Sequence, residues 1–98
     1  MIRKNFPADY NMEEDFPETK LICGWEFGGA FHAIKGGIHY LIIDESMMAD
    51  MLDQTDPTDK KVFDNLIHLL QFEDEEEMHL YVQRELGWAT KIGDGSFL

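Results

Sequence analysis

The residues best suited to chemistry in this sequence are His32 and His39, because imidazoles are common ligands of zinc and related metals. Both fall in apolar segments that we expect to form neighbouring strands, on one face of a sheet and offset diagonally, so their side chains could meet. Cys23 lies on the same predicted face. The spacings CxxC, HxH and HExxH are absent from the sequence. A buried histidine with one hydrogen bond is therefore the simpler interpretation, and we expect no bound metal or other cofactor.

Nucleophilic catalysis needs a serine or cysteine with a base within reach and an oxyanion site. Ser46 and Ser96 have no motif around them, and Cys23 stands in the middle of a predicted strand. The motifs GxSxG, GxGxxG and the phosphate-binding loop are absent. The stretch DQTDPTDKK has regularly spaced acids but lacks the order and the glycine of a calcium loop. The sequence therefore predicts a protein that is not an enzyme.

Acidic residues are the most unusual feature of the chain. Its 98 residues include 20 Asp and Glu against 8 Lys and Arg, a net charge of −12. Residues 44–98 hold 14 of these acids and four bases, which gives −10 in that part alone. A field of this sign repels nucleic acid and anionic lipid and attracts basic proteins. We therefore expect a protein partner with a basic surface, and no direct binding to nucleic acid or membrane.

Five of these acids, 73–77, are consecutive. Acids in the first turn of a helix interact favourably with its dipole, by about 0.3–1 kcal/mol each, but adjacent like charges repel, so a helix start explains only some of them. Solvated surface is one interpretation. The other is a functional surface whose carboxylates occupy the Arg and Lys sites that bind DNA phosphates. The predicted partner-binding residues are Glu73, Asp74, Glu75, Glu76, Glu77, Asp53, Asp56 and Asp59.

Length and composition predict one domain over residues 1–98. Hydrophobic residues make up 44% of the chain, which is enough for a single core. Cys23 is the only cysteine, so an internal disulfide is impossible, and this favours a reducing compartment. No apolar stretch approaches the roughly 20 residues of a membrane span. We therefore expect a cytoplasmic protein.

The clearest fold signal lies in residues 19–43, where three apolar runs are separated by Gly28-Gly29 and Gly36-Gly37. Paired glycines suit the positive φ angles of tight hairpin turns, so the pattern predicts a three-stranded meander over about 20–27, 30–35 and 38–43. Two-residue turns then pair Lys35 with Ile38 and Phe27 with Ala30. One face of this meander carries an apolar patch that could serve as a homodimer or assembly interface: Ile22, Phe31, Tyr40 and Ile42.

The rest of the chain is predicted from its prolines and its helical periodicity. Residues 1–18 read as an irregular arm, because Phe6 and Phe16 each precede a proline. Residues 44–87 read as a helical acidic half, and residues 88–98 as a tail or edge strand. The predicted helices cover 44–54, 57–71 and the stretch from Asp74 to Gly87. The expected fold is α+β, with a three- to four-stranded antiparallel sheet packed against two or three helices.

The order of meander, helices and an acidic run followed by an apolar residue resembles that of small phage-encoded anti-CRISPR proteins that inhibit Cas9. The stretches that carry the resemblance are YLIIDES, the helices after it and FEDEEEM, about half of the chain. The chain departs from those proteins in lacking an N-terminal helix and in carrying two Gly-Gly hairpins. Such inhibitors present acids where the enzyme reads its short DNA recognition motif. The resemblance thus implies DNA mimicry, with these contact residues: Asp74, Glu75, Glu76 and Glu77.

These observations together predict a small acidic protein that binds and inhibits a nucleic-acid-processing protein by DNA mimicry. The target would be a nuclease, a CRISPR effector, or a restriction or repair enzyme. One alternative is an immunity protein or antitoxin that neutralises a basic nuclease toxin, because acidic inhibitors associate quickly with cationic enzymes. Another is a non-catalytic assembly or dimerisation module that uses the apolar patch.

Overall fold

A five-stranded antiparallel sheet forms the centre of the protein, in the order β1-β5-β4-β3-β2. The structure is a computed structural model that describes the backbone of residues 1–92 and the side chains of residues 1–89. The predicted α+β class is confirmed, but the sheet has five strands and not three or four. The elements are β1 Ile2–Phe6, α1 Met12–Asp15, β2 Lys20–Trp25, β3 Gly28–Lys35, β4 Ile38–Asp44, a 3-10 helix Ser46–Met51, α2 Pro57–Phe63, β5 Ile67–Phe72 and α3 Glu75–Ile92.

The β3–β4 hairpin forms as its sequence predicts. Lys35 pairs with Ile38 across a two-residue turn. The turn glycines have φ angles of 60° at Gly36 and 78° at Gly37, which residues with a Cβ rarely adopt. Local turn chemistry therefore sets the register of these two strands.

The β2–β3 hairpin turns two residues earlier than predicted. Trp25 pairs with Gly28, so Glu26 and Phe27 make the turn and Gly28-Gly29 belongs to β3. A Cβ atom on Gly28 would collide with the backbone oxygen of Asp44 on β4. Glycine is needed at this position because two strands approach closely, and not because the chain turns. A Gly-Gly pair in the sequence fits either case.

The predicted apolar patch does not form, because β2 contains a bulge. The register shifts between Leu21 and Cys23, and Ile22 therefore packs under α3, on the opposite face from Phe31 and Tyr40. Ile42 is also buried, with only 1% of its surface exposed, because Phe16 from the N-terminal arm lies in the same cluster. The predicted patch is therefore split between two cores and is not an exposed interface.

The largest error of the sequence prediction is β5. The pattern predicts one helix over 57–71, but α2 ends at Phe63 and residues 67–72 form a strand between β1 and β4. β5 is an interior strand with buried residues on both faces, and its apolar residues Ile67, Leu69 and Leu70 also satisfy the spacing of a helix, although His68 and Gln71 interrupt the run. The predicted helical half, residues 44–87, is wrong at this point.

Two further differences concern the ends of the chain. Residues 2–6 are not irregular, because β1 pairs with β5 along its whole length. The arm that follows contains α1, whose first turn is capped by the side chain of Asn11. Helix α3 continues through Gly87 to Ile92, so residues 88–92 form neither a tail nor a strand. Residues 93–98 of the predicted tail lie outside the described part of the chain.

Each face of the sheet has its own cover. Helix α3 packs on one face, where Met78 and Val82 are fully buried. Near the C-terminal half of α3, the ring centroids of Trp25 and Trp88 lie 5.3 Å apart. The N-terminal arm covers part of the other face through Phe16. Within the described residues, no helix has the length and apolar character needed to cross a membrane. The packing of α3 on the sheet determines where the first turn of this helix and its acids lie.

Candidate functional site

The five consecutive acids 73–77 lie at one end of the sheet. Strand β5 ends at Phe72, which pairs with His39 near the start of β4, and the acids follow directly. Glu73 and Glu77 line a surface depression together with Ile38, the first residue after the Gly36-Gly37 turn. The acidic run therefore stands beside the β3–β4 turn.

All five of these residues are exposed, but their carboxylates differ in what they contact. Asp74 accepts a 2.7 Å hydrogen bond from the backbone N–H of Glu77 and caps α3. Glu75 pairs with His79 one turn later, at 3.2 Å. Within the part of the chain that the structure describes, Glu73, Glu76 and Glu77 form no ion pair. Their charges are therefore available to cations of a partner.

One further acid, Asp15, reaches the same end of the sheet from the opposite face. Residues 13–15 belong to α1, and the backbone oxygen of Asp15 accepts a 3.0 Å hydrogen bond from Nζ of Lys35, beside the β3–β4 turn. The sequence prediction assigned these residues no role, because their position depends on how the arm packs. We call the combined surface the acidic end: Asp15, Glu73, Asp74, Glu75, Glu76 and Glu77.

The structure does not bring the other three predicted contact residues to this surface. They lie in the connection that leaves β4 at Asp44 and enters β5 at Ile67, at the opposite end of the sheet. The six residues of β5 separate the two ends by roughly 17 Å. Acids on both sides of β5 therefore do not form one continuous surface.

Local backbone groups also engage these three carboxylates. Asp53 accepts hydrogen bonds from the N–H and hydroxyl of Thr55, which lower its pKa. Asp56 caps α2 by accepting from the N–H of Thr58 at 2.8 Å, and Asp59 accepts from the N–H of Asp53 at 3.0 Å. These three carboxylates therefore stabilise the turn before α2 and the first turn of that helix.

The two histidines singled out by the sequence do meet. Nε2 of His32 and Nδ1 of His39 are 3.0 Å apart, and their rings stack with centroids 5.2 Å apart. A hydrogen bond between them requires one bare ring nitrogen as acceptor, so at least one ring is neutral. Among the described residues, no three His, Cys, Asp or Glu side chains are grouped so that they could hold a metal ion.

Burial lowers the pKa of His32, and the neighbouring His39 lowers it further. His79 and Lys20 act in the same direction, whereas the carboxylate of Glu75 raises it. His32 therefore lies close to the start of α3, and its lowered pKa favours the neutral ring.

Acidification should destabilise the fold through His32. Its folded pKa lies below the unfolded value of 6.5, so the unfolded chain binds more protons and stability falls as the pH drops below about 6.5. We expect the urea midpoint of the wild type to decrease between pH 7 and pH 5. His32→Gln should show a smaller decrease over the same interval. Equal decreases in the two proteins would contradict this role, and His79→Gln provides a comparison on α3.

No known protein family, curated protein or solved structure matches this chain. Its function is therefore inferred from its own surface.

Proposed function

We propose that this protein binds and inhibits a nucleic-acid-processing enzyme by placing its acidic end in the cationic groove that normally holds DNA. The observation that carries the proposal is the cluster of exposed carboxylates at the start of α3, of which Glu73, Glu76 and Glu77 lack a cationic partner among the described residues. Unpaired surface charge of one sign favours binding to a surface of the opposite sign.

The spacing of these charges supports mimicry of a nucleic acid. A helix rises about 1.5 Å per residue, so consecutive acids at the start of α3 carry about one charge per 1.5 Å of axis. Duplex DNA carries one charge per roughly 1.7 Å of its axis. Over this first turn the two charge densities are similar, and Asp15 of α1 adds one acid at the same end of the sheet.

The chemistry of the partner follows from the carboxylates. Arg and Lys side chains that hold phosphates also form charge-assisted hydrogen bonds with carboxylates, and Arg does so with two parallel bonds. Binding of this kind weakens as salt is added, because exposed charges are screened. An enzyme bound in this way loses access to its substrate, so the acidic end and DNA compete for one surface.

A pull-down with the purified protein tests this competition. Lysate of the source cells is passed over the immobilised protein at low and at high salt, with and without duplex DNA, and captured proteins are identified by mass spectrometry. We expect a nucleic-acid-processing enzyme that both salt and duplex DNA displace. A partner that is retained in the presence of DNA would overturn mimicry and favour the immunity-protein alternative. Capture of the same chain alone would favour the assembly module.

A further inference from the structure

The face of the sheet opposite α3 contains a cavity of about 460 Å³. It lies between the N-terminal arm and strands β1, β5 and β4, because the arm covers only part of this face. The volume falls within the range of about 300–1,000 Å³ that is typical of small-molecule sites. None of the functions considered above uses this cavity.

The walls of the cavity are largely aromatic and aliphatic. Phe6 stacks on Tyr10 with ring centroids 4.1 Å apart, and Phe16 lies 4.9 Å from Tyr40. Leu69 of β5 is a further apolar part of the lining. An apolar ligand body would therefore find contacts on both the arm and the sheet.

The one acid that lines the cavity is already engaged. The hydroxyl of Tyr10 donates a 2.5 Å hydrogen bond to the carboxylate of Asp15. Burial, together with this bond and the charge of Asp15, raises the pKa of Tyr10 to about 12, so the hydroxyl keeps its proton at neutral pH. This hydrogen bond joins the residues at the two ends of α1, and it orients the ring of Tyr10 that stacks on Phe6.

Polar groups with unused hydrogen-bonding capacity converge on the same space. Lys4, Gln71 and Tyr40 line the cavity, and their amine, amide and hydroxyl groups form no hydrogen bond with another side chain among the described residues. The amine of Lys35 differs, since it donates to the backbone oxygen of Asp15 and lies 5.3 Å from the ring centroid of Phe16. Both lysines keep their charge, and Lys4 is the one whose amine has no hydrogen-bond partner among the described residues.

We propose that this cavity binds a small apolar molecule that carries a single carboxylate. The apolar body packs on Leu69 and the aromatic walls. The carboxylate accepts hydrogen bonds from Lys4 and from Gln71 or Tyr40, which line the cavity and have no hydrogen-bond partner among the described side chains. Charge complementarity selects the anion, because the exposed Lys4 at the cavity forms no ion pair among the described residues of a protein whose net charge is −12.

Because the protein is strongly negative, ligands of different charge distinguish specific binding in the cavity from non-specific attraction. 4-Phenylbutyrate, its neutral amide and 4-phenylbutylamine share one apolar body and differ in charge. Non-specific attraction to a protein of −12 would favour the amine. We expect the opposite order, with the carboxylate binding most tightly in calorimetric titrations. In two-dimensional NMR, the shifts should concentrate on cavity residues such as Leu69 and Gln71 and spare Trp25 on the α3 face.

Two variants locate the charge. Lys4→Gln should weaken phenylbutyrate binding about three- to tenfold and leave the neutral amide unchanged, since it removes one exposed charge-assisted contact. Lys61→Gln on α2 changes the net charge equally and lies outside the cavity, so it should bind like the wild type. Preference for the amine, equal effects of the two variants or shifts confined to the α3 face would each overturn the proposal.

Discussion

Replacing Glu75, Glu76 and Glu77 together with Lys is expected to weaken binding of the captured partner by at least ~100-fold. Close charge pairs across an interface contribute several kcal/mol when both members are present, and reversal turns each attraction into repulsion. The measurement is the dissociation constant of the partner complex, determined by calorimetry or surface plasmon resonance at two salt concentrations. The variant should also lose most of the salt dependence of binding.

A matched variant separates the position of the charges from their number. Asp9, Glu26 and Glu85 are exposed acids away from the predicted contact sets, and their replacement with Lys changes the net charge by the same amount. This variant should retain binding within a few-fold. If both triple variants bind like the wild type, Glu75–Glu77 have no role in recognition and are solvated surface.

The charge-reversal variant must also be shown to fold. Acids in the first turn of α3 stabilise it through the helix dipole by about 0.3–1 kcal/mol each, and this contribution is lost on reversal. Asp74 stays unchanged in the variant, so the cap to Glu77 is retained. Circular dichroism and the urea midpoint then report whether lost binding reflects lost structure.

Leu70→Ala should have the largest effect on stability, with a decrease of about 2–5 kcal/mol in the free energy of unfolding. Leu70 is 0% exposed and lies on β5, opposite Leu41 of β4 and in the cluster formed with α3. Truncation removes buried methyl groups and leaves a cavity between the sheet and the helix. Urea denaturation monitored by tryptophan fluorescence measures the change.

Leu80→Ala is the matched control, because the same truncation is made at a side chain that is 57% exposed on α3. Its effect should stay within about 0.5 kcal/mol. Similar losses in both variants would contradict the placement of β5 inside the sheet, between β1 and β4. Slow amide hydrogen exchange at residues 67–72 would support that placement independently, since a central strand opens only with the whole sheet.

Strand β5 positions both of the surface regions for which we propose a function. Strand β5 directs the run 73–77 to one end of the sheet and keeps Asp53, Asp56 and Asp59 at the other. The same strand lines the cavity on the arm side with Leu69 and Gln71. A prediction that made this segment helical could place neither the acidic end nor the cavity.

The sequence by itself determined the features that depend on short-range interactions. Gly36-Gly37 predicted the β3–β4 hairpin and the approach of His32 to His39, because positive φ angles and strand pairing act over a few residues. Asp74 predicted the start of α3, since a cap contacts the next turn. The α+β class followed from these elements, and the acidic run followed from composition alone.

Only the tertiary structure decided the features that depend on distant partners. Residues 67–72 form a strand because β1 and β4 bond to both of their edges and cores cover both of their faces, while their apolar pattern fits a helix equally well. Gly28 belongs to a strand because Asp44 approaches it from β4. The cavity requires the arm to fold back onto the sheet. That contact is made by Phe16, for which the following proline predicts only a non-helical backbone.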